Sequence, residues 1–83
     1  MIKKDNTGLL AEPETWDKTG GGIMDCDESI IVLRENLLEI RNICQEALED
    51  AILMEVSEDQ FREVLKNIII GLKNPYNNMT AGE

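Results

Sequence analysis

The chain has 83 residues, 17 of them acidic and 8 basic, with no histidine, two cysteines and a formal net charge of −9. That length holds one domain at most, and a core of that size is marginal by itself. The charge opposes direct binding to nucleic acid or to an anionic membrane surface, the commonest general base and metal ligand is missing, and no apolar run reaches the roughly 18 residues of a membrane-spanning helix.

Hydrophobic residues make up 42% of the chain, enough to argue against a disordered polymer, while aromatics make up only 4%. Leu, Ile and Glu dominate, which is the palette of helices rather than strands. An all-α protein is expected. The opening "MIKKDNTGLL" has two lysines but no apolar core of a secretory signal. Cys26 and Cys44 match neither a metal pattern nor a disulfide framework, so a reduced, cytoplasmic setting is expected.

Residues 1–26 read as an N-terminal arm, flexible or docked. Gly8, Pro13 and the run Gly20-Gly21-Gly22 break any periodicity, and the glycine run is expected to act as a hinge. It lacks the Lys-Ser/Thr that would follow in a phosphate-binding loop. Trp16, alone in a polar stretch, is expected either to lay its ring on nearby apolar surface or to anchor a partner. Cys26 lies just before a helix start, but Asp25 and Asp27 flank it and oppose thiolate formation, so it reads as inert.

A long helix is expected over residues 27–54, with Asp27 as its N-cap. Ile30, Leu33, Leu37, Ile40, Cys44, Ala47, Ala51 and Met54 recur at steps of three and four, as in a coiled-coil seam. On a wheel of about 100° per residue, with Ile30 at zero, the apolar arc runs from Ile43 round to Leu38, about 220° in all. A helix with one neighbour needs about 100°. This helix therefore asks for at least two neighbours, and its Ile30–Leu38 end is left over.

"MEVSEDQF" marks a second start. Ser57 followed by Gln60 fits a capping box, and Val56 with Phe61 fits a hydrophobic staple. The second helix is expected over residues 57–73, with a stripe of Phe61, Val64, Leu65, Ile68 and Leu72. Asn74 before Pro75 ends it, and residues 74–83 read as a loose tail. So short a link predicts an antiparallel helical hairpin over 27–73. Two copies packed face to face would complete a four-helix bundle, with a homodimer the commonest closed form.

Ile68-Ile69-Ile70 is a test of this scheme. With Phe61 at zero, Ile68 falls near 340° and Ile70 near 180°, on the wet face between Lys66 and Glu63. Ile70 is expected to touch a second subunit, a partner or the docked arm.

No Lys or Arg lies between Asn42 and Phe61, while Glu46, Glu49, Asp50, Glu55, Glu58 and Asp59 all do. Four of these acids sit toward the C-terminal end of helix one, where the dipole favours cations. They read as a solvated tip or as an acidic knob for a basic partner.

The function expected is that of a small acidic, non-catalytic helical adaptor or regulator that self-associates and binds another protein. It needs no cofactor or metal. The contact residues expected are Trp16, Ile30, Leu33, Leu37, Leu38 and Ile70, with Glu46, Glu49, Asp50, Glu58 and Asp59 at the tip. One alternative is an acidic decoy that occupies a nucleic-acid-binding protein in place of nucleic acid. Another is an all-α, Mg²⁺-dependent nucleotide pyrophosphohydrolase using helical carboxylates, although these acids lie on the polar arc.

Overall fold

The computed structural model describes residues 10–76. The described elements are β1 (Trp16–Asp17), β2 (Ile23–Met24), α1 (Asp27–Leu53) and α2 (Glu58–Ile70). The chain divides into two compact units, Met1–Glu46 and Ala47–Glu83, with the long helix running through the division. The part of the arm before Leu10 and the tail after Tyr76 lie outside the described residues.

The protein is mostly helical, with one long and one shorter helix in the order expected. The arm differs. It holds a small antiparallel ladder that pairs Trp16 with Met24 and Asp17 with Ile23. The glycine run makes a hairpin turn rather than a hinge. Lys18 N–H donates to the Gly22 carbonyl at 2.9 Å, and Gly21 N–H donates to the Lys18 carbonyl at 3.1 Å. Gly20, Gly21 and Gly22 take φ of +93°, +113° and +91°. A Cβ on any of them would meet nothing within 4 Å. The backbone angle, not space, demands glycine here.

The first cap also differs from expectation. The Cys26 carbonyl accepts the first helical bond, from Ile30 N–H at 3.1 Å, so Cys26 rather than Asp27 is the N-cap of α1. Asp27 and Glu28 occupy the first turn, where the dipole favours acids. At about 1.5 Å per residue, the 27 residues of α1 span about 40 Å.

α1 ends in a Schellman motif. Val56 N–H donates to the Ala51 carbonyl and Glu55 N–H to the Ile52 carbonyl, both at 2.9 Å. Glu55 sits at φ +66°, a place usually given to glycine. The last turn of α1 carries no basic residue to offset the dipole. Two residues later the chain enters α2 as the sequence indicates, with the Ser57 hydroxyl accepting the Gln60 N–H at 3.2 Å. Glu58 then receives Arg62 one turn on, at 2.9 Å.

α2 stops at Ile70, three residues short of the expected end. Gly71 N–H is shared between the Asn67 and Ile68 carbonyls, which closes the last turn. Leu72 therefore lies outside the helix. Beyond it, Tyr76 N–H donates to the Asn74 side chain at 2.7 Å in a local turn.

Candidate interaction surfaces

Among the described residues only Ala51 is buried, at 2% exposure. It belongs to the second unit, where Ala47, Leu48, Phe61 and Leu65 are half-buried. Of the stripe expected on α2, Phe61 and Leu65 gain this cover. Val64, Ile68 and Leu72 stay exposed, so the stripe continues past what the chain itself covers. Ile69 and Ile70 are exposed too, Ile70 at 68%. Leu53 at 80% and Met54 crown the end of α1.

In the first unit, Ile30, Leu33, Leu37 and Cys44 of the expected seam form a half-buried line along α1, and Arg41 joins them where Ile40 was expected. The Ile30–Leu37 end is thus not bare. The arm contributes half-buried Leu10, Glu12, Trp16 and Met24 to the same unit. Arg34 Nε–H ties the arm to the helix by donating to Glu12 Oε1 at 3.0 Å, with the Glu12 side chain only 9% exposed. No local signal announces a pair 22 residues apart.

Two apolar strips of α1 in this unit remain uncovered. Ile31 and Leu38 lie on one side of the half-buried line, and Val32, Ile40 and Ile43 on the other. Ile40 had been expected within the seam. Its wheel position, about 280°, sits at the seam's edge and explains why it is left out.

An open hollow of about 470 Å³ lies at the N-terminal end of the second strip, lined by Met24, Cys26, Glu28, Ser29, Val32 and Leu33. The Cys26 thiol is exposed. A hydrogen bond from the Ser29 hydroxyl, with the Ser29 and Glu28 backbone N–H groups, holds it below its ordinary value. Partial desolvation, and after it the Asp27 charge, push the other way and are outweighed. The flanking carboxylates are visible in the sequence, whereas the hydrogen bonds of the helix start depend on where the helix begins.

The acids of the tip, Glu46, Glu49, Asp50, Glu58 and Asp59, are all exposed. Among the described residues, no group of three or more Cys, Asp or Glu comes together so as to hold a metal ion. No described helix is long and apolar enough to cross a membrane. No known protein family, curated protein or solved structure matches the chain.

Proposed function

We propose that this is a small acidic, non-catalytic helical adaptor that acts in the cytoplasm by self-association and by binding another protein. In this reading α1 and α2 close as an antiparallel hairpin, and a second copy completes a four-helix bundle. The observation that carries the proposal is the imbalance between apolar content and burial. Among the described residues one small alanine is buried, while Ile68, Ile69 and Ile70 on α2 and Ile40 and Ile43 on α1 lie open to water. Burying a side chain of this kind contributes about 1.5–3 kcal/mol when it is removed fully from water. Faces this apolar on a folded chain commonly mark contact sites.

The test is the mass of the protein in solution, measured by light scattering for the parent chain and for Ile70→Glu. A dimeric parent and a more weakly associated, still helical variant support the proposal. A parent chain that stays monomeric at all concentrations refutes its self-association half.

The stretch without a base between Asn42 and Phe61, together with the uncompensated last turn of α1, favours a second reading. In it, the carboxylates alone dock on a basic protein surface, as a decoy for nucleic acid. Binding of that kind collapses with salt and ignores Ile→Asp changes.

A further inference from the structure

We infer that the Val32–Asn36–Ile40–Ile43 face of α1, with the hollow at its upper end, docks an amphipathic helix whose polar face is basic. The inference deepens the adaptor reading and rests on it: it names the partner's chemistry and a surface separate from the self-association face.

Three observations converge on the first unit. Val32, Asn36, Ile40 and Ile43 follow one another at steps of four, four and three. They fall between about 200° and 280° on the wheel, a single line along the helix. None carries a charge, and Val32, Ile40 and Ile43 are 53%, 52% and 60% exposed. That spacing is what one helix presents to another.

The line does not end flat. At Val32 it opens into the hollow, where Met24 of β2 and Leu33 of α1 form apolar walls and Glu28 contributes a carboxylate. A large apolar side chain of an incoming helix fills such a hollow as a knob fills a hole.

The charge beside the line has one sign. Glu28, Glu35, Glu39 and Glu46 fall at about 140–180°, directly next to Val32, and all four are exposed. The two arginines of α1 lie on the far side, at about 20–40°. There Arg34 is held by Glu12 and Arg41 is half-buried. A second copy of this chain, carrying the same acids on the same flank, meets repulsion if it docks antiparallel along this line. A helix with lysine or arginine beside its apolar stripe meets attraction. This is packing of helix on helix, with an acidic flank that selects a basic partner.

Binding of a fluorescein-labelled 18-residue peptide tests the inference. The peptide is built of leucine and lysine, with the leucines on one helical face, and anisotropy reports its binding to the full chain. The comparison peptide has the same composition scrambled so that no apolar face forms. The patterned peptide is expected to bind at least tenfold more tightly than the scrambled one. Ile43→Asp should weaken it at least tenfold, as should Glu39→Lys combined with Glu46→Lys. Bound peptide should also slow alkylation of Cys26. Circular dichroism checks the fold, and Val32→Asp replaces Ile43→Asp if the latter loses helix. Equal binding of the two peptides overturns the inference, because charge alone then explains it. So does parent-like binding by the Ile43→Asp protein, or a fall in that variant's mass from dimer to monomer, which would seat a second copy on this line. A monomeric parent that still binds the patterned peptide refutes self-association and leaves the docking face standing.

Discussion

Arg34 donates its Nε–H to Glu12 at 3.0 Å and joins the arm to the long helix across 22 residues of sequence. The carboxylate is nearly covered while the guanidinium is mostly open, so the pair is a surface contact with one shielded end. Arg34→Ala should release the arm. Trp16, half-buried in the same unit, should then shift its emission to the red, while the helical signal at 222 nm stays. The stability change should be at most about 1 kcal/mol, as for other solvent-screened ion pairs. An unmoved emission would mean that other contacts dock the arm.

Glu55 departs from local preference in two ways. It combines a left-handed backbone at φ +66° with an acid just past the end of a helix that has no basic residue in its last turn. Glu55→Gly should raise stability by about 1 kcal/mol, since the left-handed angle costs other residues about that much or more. Urea denaturation checks this. A lower midpoint for Glu55→Gly would show that the glutamate side chain holds the turn in a way that outweighs its backbone cost.

Cys26 gives a prediction about pH. Its thiol is held below the ordinary value first by the Ser29 hydroxyl, then by backbone N–H groups. A lowered value means a larger thiolate fraction at any pH beneath the ordinary one, so alkylation should rise at lower pH than for a free cysteine. Ser29→Ala removes the leading cause and should move the alkylation profile back up. The backbone donors remain, so the return should be partial. A profile unchanged by Ser29→Ala would assign the effect to the backbone alone.

The turn of the arm gives a fourth. Gly20→Ala introduces no clash, because nothing lies within 4 Å of the added Cβ. Its cost is set by φ +93° alone, about 1–2 kcal/mol. Amide exchange at Lys18 and Gly21, whose N–H groups close the turn, should quicken first. Exchange that stays slow would show a turn able to flip to an angle that alanine accepts.

The helices were legible because their signals are local. Steps of three and four from Ile30 to Ala51 mark one continuous face, and Ser57 with Gln60 marks a start that the backbone adopts. On α2 the wheel separates Ile68 from Ile70, yet both are exposed, because this chain covers the stripe only at Phe61 and Leu65. What escaped depends on pairing at a distance or on the choice between two local options. A three-glycine run reads equally as hinge or turn until Trp16 finds Met24 across it. Glu12 and Arg34 share no periodicity. The charged neighbours of Cys26 are plain in the sequence, while the donors that lower its thiol belong to a helix start one residue earlier than expected. For the candidate surfaces, the over-wide arc of α1 announced excess apolar area. Only the observed burial separates the covered line through Leu33 and Leu37 from the open one through Ile40 and Ile43.

In the proposed assembly the apolar face of α2 through Ile68, Ile69 and Ile70 is covered by a second copy of the chain. Light scattering at several concentrations tests it most directly, with Ile70→Glu measured beside the parent. The expected parent mass is near twice the 9.4 kDa of the chain, with a shift toward the single-chain mass in Ile70→Glu and helix content kept. A parent that remains at the single-chain mass throughout, fully helical and stable, would contradict it.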